Sequence, residues 1–278
     1  MPAPDHAPKG RYDFGIFNAA GVRREELAGT PYRYWHSHAI AQIFAERLSG
    51  TVDILDAGGG DAGTLNLLHN LELRGTYTCL DIRPTVTQKS DPAFEIAVIQ
   101  KPFKDFSAHR QYDAFLFQTS LEYVADYRDI GWTAASLKPG GFAVVILHCR
   151  NTGLLYRIYW RKGGRHCLDE DELAPAFAAI GLRMTDLMIL GGAASRCWQY
   201  LAHSGLTYYP ACCLSWLLRG SGPRLRHADI LSSISRRANP LVARLDYLFR
   251  FWRTGHCIVL EPSSAFRNNC SASTNQPV

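Results

Sequence analysis

The sequence lacks three features that would place it in other classes of protein. Its eight cysteines form no Cys-x-x-Cys pair, which argues against a zinc ribbon or a thioredoxin-type redox site. Its longest apolar stretch, residues 206–218, contains Tyr, Pro and Ser and is shorter than the roughly 20 residues that a membrane-spanning helix needs. The first residues show no apolar segment behind a basic start. We therefore expect no signal peptide and predict a cytoplasmic protein with reduced thiols.

The chain also lacks a large excess of positive or negative charge, and its sequence contains no internal repeat. The 30 Lys and Arg residues exceed the 25 Asp and Glu residues by only five, which is too weak an excess to indicate nucleic-acid binding. Of the 278 residues, 47% are hydrophobic, so a sizeable core can form. A disordered chain and a small disulfide-stapled domain are thereby excluded.

Strand-like and helix-like segments alternate along most of the chain. Helical patterns are predicted over residues 31–50, 61–73, 121–137 and 169–180. Short apolar runs predict strands over residues 52–56, 77–81, 94–99, 112–117, 142–148, 182–190 and 256–260. This alternation predicts a doubly wound α/β sheet of the Rossmann-like type.

Composition divides the chain into five parts. Residues 1–30 are predicted to be a loosely ordered arm, and residues 31–190 a core with an N-terminal cover helix. Residues 191–253 interrupt the strand–helix rhythm as an insertion rich in Arg and aromatic side chains. Residues 254–262 supply the last core strand, and residues 263–278 form a polar tail.

A glycine-rich loop, Gly58 to Gly63, lies where the first predicted strand gives way to a helix. Glycine lets the backbone adopt positive φ and lets a ligand approach closely, and a helix N-terminus offers unpaired N–H groups to the ligand. Asp81 ends the next strand, 21 residues after Gly60, where a carboxylate can accept the hydroxyls of a ribose. The pattern therefore predicts a cofactor that contains adenosine.

Asp56 separates the two classes of cofactor that such a loop serves. It lies two residues before the first glycine, where dinucleotide sites more often carry an apolar residue. A carboxylate there suits a positive centre such as a sulfonium or an amino group, whereas it would repel the pyrophosphate of NAD. A loop-bracing role for Asp56 and an NAD-dependent oxidoreductase remain as alternatives.

Four segments together resemble a known family. They read VDILDAGGGDAG, TCLDIRP, YDAFLFQTSLEYV and SLKPGGFAVVIL, and their order and spacing are similar to the motifs of class I S-adenosylmethionine-dependent methyltransferases. The resemblance covers about residues 51–190, with Cys257 to Leu260 as the last strand. It implies a mostly parallel seven-stranded sheet whose last strand is antiparallel.

The resemblance also implies roles for particular residues. Asp56 and the glycine loop would surround the methionine part of S-adenosylmethionine, Asp81 would bind the ribose, and Gln118 and Thr119 would lie beside the transferable methyl group. The sequence departs from the family pattern at Ala62, which stands where a third glycine is usual, and after the third strand, where Gln100 replaces the acid that often contacts adenine. The implied cofactor-binding residues are Asp56, Gly58, Gly60, Asp61, Gly63, Asp81, Gln100, Gln118 and Thr119.

Methyl transfer needs a base only if the acceptor must lose a proton. His148 ends the fifth predicted strand, and Glu122 follows the fourth, so these two are the candidate catalytic residues. His36 and His38 on the N-terminal helix are further candidates. A hydrogen-bonded boundary residue is the competing interpretation of His148. No metal site is predicted, because no acid accompanies these histidines at a suitable spacing.

The insertion is strongly basic, although the chain as a whole is not. Residues 191–253 hold nine arginines, two acids and nine aromatic side chains, which gives a net charge of +7 against −2 for the rest. Three interpretations remain open. The arginines can face solvent on a helical subdomain, they can bind an anionic or aromatic acceptor as a lid, or they can contact an anionic membrane surface. No nucleic-acid module accompanies the charge.

We therefore predict a methyltransferase that acts on an oxygen or nitrogen atom of a small molecule. Anionic, aromatic and lipid-linked compounds are the candidate acceptors. A cofactor-binding protein without catalysis, serving as a partner of another protein, is an alternative beside the NAD-dependent enzyme. An aminopropyl transferase is disfavoured, because its polyamine substrate would need an acidic site. The sequence does not predict the identity of the acceptor or the oligomeric state.

Overall fold

We describe the fold from a computed structural model of the chain. The described residues are 31–60, 62–86, 91–148, 168, 170–194, 197, 241–242, 244–246 and 255–264. The predicted arm, most of the predicted insertion and nearly all of the polar tail lie outside this set, so the division of the chain into these parts stays a prediction.

The described residues form seven strands and four α-helices. The strands are β1 (Thr51–Ala57), β2 (Arg74–Asp81), β3 (Phe94–Gln100), β4 (Tyr112–Gln118), β5 (Leu137–His148), β6 (Leu182–Leu190) and β7 (Gly255–Pro262). The helices are α1 (Pro31–Arg47), α2 (Thr64–Asn70), α3 (Trp132–Ser136) and α4 (Glu170–Ala178).

All seven strands belong to one sheet in the order β3-β2-β1-β4-β5-β7-β6. Strands β1 to β5 pair in parallel, and β7 runs antiparallel to both β5 and β6. The prediction of a mostly parallel sheet with an antiparallel last strand is confirmed. The chain order reverses between β1 and β4, and ligands of such sheets bind beyond the carboxyl ends of the strands at this point.

Both faces of the sheet are covered by helices, which explains the continuous apolar runs in the central strands. On one face, α1 and α2 pack against side chains such as Ile54 and Leu116. On the other face, α3 and α4 pack against Leu55 and Phe115. Neighbouring residues of one strand thus enter opposite halves of the core, as the two-residue period of a strand requires.

The prediction of one continuous helix over residues 121–137 is wrong. Two 3₁₀ turns, Leu121–Tyr123 and Tyr127–Ile130, occupy its first half, and only the short α3 is α-helical. The side chain of Asp126 accepts the backbone N–H of Arg128 and starts a new turn there, because a short carboxylate competes with the helical hydrogen bonds.

The segment from Lys138 to Gly141 is an excursion within β5. Tyr112 pairs with Leu137, whereas Ala114 pairs with Phe142. Four residues therefore bulge out of the ladder opposite a single residue of β4. The excursion lies at the amino ends of the strands, on the edge of the sheet opposite the glycine loop.

An ion-pair network fastens this excursion. The Nζ atom of Lys138 lies 2.7 Å from Oδ2 of Asp53 and 2.8 Å from Oδ2 of Asp113. Burial opposes ionisation of Asp53, but its bonds with Lys138 and Thr76 and the nearby positive charges prevail and hold its pKa below the usual value of 3.8. The hydrogen bonds to Asp113 and Asp53 raise the pKa of Lys138 above 10.5.

We expect Lys138→Met to lower the free energy of unfolding by about 1 kcal/mol at pH 7, since the network is partly exposed. The loss relative to wild type should shrink as pH falls below 3.8, because protonation of Asp53 removes the same attraction from the wild type. It should also shrink above pH 10.5 as Lys138 deprotonates. Urea unfolding at pH 3 and 7 measures both values. The exposed Lys104→Met is the control, and an equal loss at both pH values would contradict the prediction.

Candidate functional site

The glycine loop follows β1, and backbone hydrogen bonds fix its position. The N–H of Gly58 donates to the carbonyl of Leu80 at 2.6 Å, and the carbonyl of Gly60 accepts the N–H of Thr85 at 2.9 Å. These bonds tie the loop to the end of β2 and to the residues that follow it. The loop is therefore held in place by the protein itself.

Gly58 is required by its surroundings. Its φ is +83°, and a Cβ atom at this position would lie 2.3 Å from the Cβ of Ser120. The loop thus packs directly on the residues that follow β4. Only glycine permits both this backbone conformation and this approach.

The departure from the glycine pattern at Ala62 is accommodated. Ala62 is buried and takes a φ of +60°, the left-handed conformation that a glycine would adopt more easily. Its N–H donates to the carbonyl of Gly59 at 2.8 Å. Gly63 follows as the residue that begins α2, whereas the predicted site residue Asp61 lies outside the described residues.

Asp56 lies beneath the loop. Its carboxylate is buried, and a Cβ at Gly59 would come within 2.9 Å of the Asp56 Cγ. Tyr77 on β2 donates its hydroxyl to Oδ2 of Asp56 at 2.5 Å. Burial, together with the negative charge of Asp56, raises the pKa of Tyr77 well above 10, so the phenol keeps its proton and remains a donor. Sequence reasoning missed Tyr77, which lies between two threonines within β2 and carries no spacing signal of its own.

Asp81 reaches the loop as its spacing predicts. Its Oδ2 accepts the N–H of Gly60 at 3.1 Å, and its Oδ1 accepts the N–H of Arg83 at 2.7 Å. The carboxylate is half-buried. Because an ionised carboxylate has about four acceptor positions, capacity for the two hydroxyls of a ribose remains.

Gln100 lies beside Asp81. The two residues are register partners at the ends of β3 and β2, and the amide of Gln100 donates to the carbonyl of Ile82 at 3.2 Å. The side chain is exposed and therefore accessible to a ligand at this edge. Phe103, which follows β3, packs its ring edge-on against Phe117 at a centroid distance of 6.1 Å.

The end of β4 forms the opposite wall. Thr119 has a φ of +57°, and its N–H donates to the carbonyl of Ile146 at 2.9 Å. Gln118 places its amide nitrogen 3.4 Å from Nδ1 of His36 on α1. Ser120 follows, and its buried Oγ has no hydrogen-bond partner within the described part of the chain. Because a buried hydroxyl without a partner costs about 1–3 kcal/mol, Ser120 is a ligand-binding candidate that the sequence did not indicate.

The two predicted catalytic residues meet. Oε1 of Glu122 accepts the backbone N–H of His148 at 2.9 Å and also contacts Nδ1 of the His148 ring. Glu122 is fully buried, and His148 is 6% exposed. The pair joins the end of β5 to the 3₁₀ turn that follows β4.

Helix α1 covers this pair. The rings of His36 and His148 are nearly perpendicular, with centroids 6.3 Å apart. His38 is also buried and packs edge-on against Trp35. The indole N–H of Trp35 donates to Oδ2 of Asp246 at 2.8 Å, so α1 is bound to a residue of the predicted insertion.

The described ranges contain no group of three His, Cys, Asp or Glu side chains that could hold a metal ion. Within the same ranges, no helix has the length and hydropathy needed to cross a membrane.

Comparison with known proteins gives a match over the part of the chain that contains the glycine loop. A family model described as a methyltransferase domain matches residues 26–187, which is more than half of the chain. No curated protein sequence matches the chain.

Among solved structures, phosphoethanolamine N-methyltransferase 2 of Haemonchus contortus is 13% identical with a TM-score of 0.55; the match covers 82% of this chain and 52% of that one. The chain thus spans about half the length of the nematode enzyme. S-adenosylmethionine-dependent methyltransferases from Geobacter sulfurreducens and Thiobacillus denitrificans, both bound to S-adenosylhomocysteine, are 14% and 15% identical. Each has a TM-score of 0.51, and each match covers 89% of this chain and 98% of the other. These likenesses show a common fold.

Proposed function

Since the chain belongs to the class I S-adenosylmethionine-dependent methyltransferase family, we propose that it methylates an oxygen or nitrogen atom of a small-molecule acceptor. The observation that supports this function best is the meeting of two carboxylates at one glycine loop. Asp56 lies under the loop, and Asp81 accepts the amide N–H of Gly60. In this proposal Asp56 would lie beside the positively charged end of a sulfonium cofactor, and Asp81 would lie beside its ribose.

We assign the cofactor contacts accordingly. Asp56 and the loop would hold the methionine part, Asp81 the ribose hydroxyls and Gln100 the adenine, while Gln118, Thr119 and Ser120 would line the space around the methyl group. When bound, S-adenosylmethionine supplies an activated methyl on a positively charged sulfur. The chain's own contribution is to orient that methyl and to exclude water, since proximity and orientation supply much of the rate.

The site disfavours NAD for an electrostatic reason. The pyrophosphate of a dinucleotide would lie at the loop, directly above the buried Asp56 carboxylate. Two neighbouring negative charges repel each other strongly where little water screens them. A protein that binds the cofactor without catalysis would have the same cofactor site as an enzyme. Only an assay of methyl transfer to an acceptor distinguishes the two.

The acceptor is proposed on separate grounds. The arginines and aromatic side chains of residues 191–253 favour an anionic or aromatic small molecule, or one linked to lipid at an anionic membrane. The Haemonchus enzyme was crystallised with phosphomonomethylethanolamine, an amine that carries a phosphate. This compound therefore belongs in the first acceptor panel, with phenols, alcohols and carboxylates beside it.

Calorimetric titration with S-adenosylhomocysteine tests the cofactor assignment, with NADH as the control ligand. We expect binding of S-adenosylhomocysteine alone. Asp81→Ala should weaken it by about 10- to 100-fold, because hydrogen bonds to a charged group are worth about 1.5–3 kcal/mol each. The exposed Asp105→Ala is the matched control and should bind as the wild type does. Unchanged affinity in a folded Asp81→Ala protein would remove Asp81 from the site, and binding of NADH alone would overturn the proposed function.

A further inference from the structure

Resting on the proposed function, we propose that His148 is the general base for methyl transfer and that Glu122 is its positioning residue. Nε2 of His148 would take the proton of the acceptor while the acceptor lone pair forms a bond to the methyl carbon. The carbon–sulfur bond breaks, and its electron pair stays on the sulfur of S-adenosylhomocysteine. The imidazolium then releases its proton to solvent. The acceptor is therefore an alcohol, a phenol or a protonated amine, which must lose a proton before or during attack.

The first support is the tautomer that Glu122 imposes. An ionised carboxylate only accepts hydrogen bonds, so with Glu122 ionised the contact between its Oε1 and Nδ1 of His148 places the proton on Nδ1. The backbone N–H of His148 donates to the same oxygen at 2.9 Å and fixes the ring relative to the end of β5. Proton transfer to the ring then takes place at Nε2, as in other carboxylate–histidine pairs.

The second support is the free-energy cost of burying Glu122 and His148. Glu122 is fully buried, and His148 nearly so. Removing two ionisable groups from water costs several kcal/mol each, and an apolar pair of similar size is often as stable or more so. A buried acid–histidine pair at the carboxyl ends of the strands is therefore a better candidate for function than for stability.

The third support is where the pair lies. His148 is the last residue of β5, and the neighbouring β4 ends at Gln118, which we place beside the methyl group. The amide of Gln118 is 3.4 Å from His36, whose ring lies 6.3 Å from that of His148. Among the described residues, Glu122 from the 3₁₀ turn and His36 from α1 face the ring, and β7 places Gly255 opposite it.

The deciding experiment follows the His148 ring by ¹⁵N-detected long-range NMR in the full chain saturated with S-adenosylhomocysteine. Comparison with His148→Asn assigns the signals. We expect the Nδ1–H tautomer at high pH and a titration between about pH 5.5 and 8.5, as a base working near neutral pH needs. Glu122→Gln should move the midpoint to lower pH by roughly one to three pH units, because the negative partner favours the imidazolium. Glu122→Asp, which keeps the charge, should restore most of the shift.

The proposal is overturned if the ring carries its proton on Nε2, or if it does not titrate between pH 5 and 9. A pair that serves only as a clamp between β5 and the turn would give the second result, because burial away from water disfavours the charged imidazolium. Failure of S-adenosylhomocysteine to bind would contradict the proposed function instead, and the ring of the ligand-free protein would still report on the pair. With any acceptor that is turned over, His148→Asn should lower kcat/KM by about 10²- to 10⁴-fold while the Kd of S-adenosylhomocysteine stays the same.

Discussion

Gly58→Ala is expected to reduce the affinity for S-adenosylhomocysteine by about 100-fold or more and to lower the free energy of unfolding by roughly 2–5 kcal/mol. The new Cβ would lie 2.3 Å from the Cβ of Ser120, and φ is +83°. The left-handed conformation costs about 1–2 kcal/mol without glycine, and overpacking costs about 1–3 kcal/mol. The loop must move to relieve the clash, and the N–H of Gly60 then loses its place beside Asp81.

A second substitution separates the clash from the backbone strain. Gly58→Ala with Ser120→Gly removes the opposing Cβ, after which the nearest Ser120 atom is its Cα at 3.6 Å, an ordinary contact. We expect this double variant to regain most of the lost stability but not the cost of the positive φ. Gly50→Ala, with φ +68° and no atom within 4 Å of the new Cβ, measures that cost alone. Equal stability of the single and double variants, measured by urea unfolding, would contradict the explanation.

Gly75→Ala should destabilise the fold more than Gly58→Ala, lowering the free energy of unfolding by about 3–5 kcal/mol. Gly75 pairs with Val52 across the β1–β2 ladder and has a φ of +133°. A Cβ would lie 2.1 Å from the carbonyl oxygen of Val52 and 2.8 Å from its nitrogen. Both obstacles are backbone atoms inside the sheet, so no side-chain rotation can relieve them.

Gly140→Ala is the matched control for this prediction. Its φ of +82° is also positive, but a Cβ there meets no atom within 4 Å, so only the conformational cost of about 1–2 kcal/mol should appear. Thermal and urea unfolding of the two variants provide the comparison. If Gly75→Ala loses no more stability than Gly140→Ala, the close approach at Val52 is not a constraint on the sheet.

The sheet could be predicted from the sequence because each strand carries its own signal. Parallel strands covered on both faces become short, uninterrupted apolar runs, and the runs 52–56 and 142–148 fall inside β1 and β5. The segment 121–137 could not be predicted in this way. Its apolar residues recur at roughly helical spacing, but Asp126 and Gly131 divide it into separate turns, and side-chain hydrogen bonds override a weak periodicity.

The site was predictable to a similar degree. The topology brings the carboxyl ends of the parallel strands to one edge of the sheet, so the approximate placement of residues at or just after these ends followed from the order of the elements. These residues are Asp56, Asp81, Gln118 and Thr119. Their partners did not follow from that order. The bond from Tyr77 to Asp56 and the contact between Glu122 and His148 join residues 21 and 26 positions apart. Ser120 became a candidate only when the burial of its hydroxyl without a hydrogen-bond partner in the described part of the chain was visible.

The insertion of β7 between β5 and β6 has a consequence for synthesis on the ribosome. In the described sheet β6 borders β7 alone, so β6 has no edge to join until the chain has been made as far as residue 262. Helix α1 also waits for late residues, since Trp35 bonds to Asp246 and Arg47 bonds to Glu261. The glycine loop and the ends of β1, β2 and β4, which we propose hold the cofactor, can form on a nascent chain before these residues have been made. The approach of His36 to Gln118 needs α1 in its place and therefore follows only after residue 261 has been synthesised.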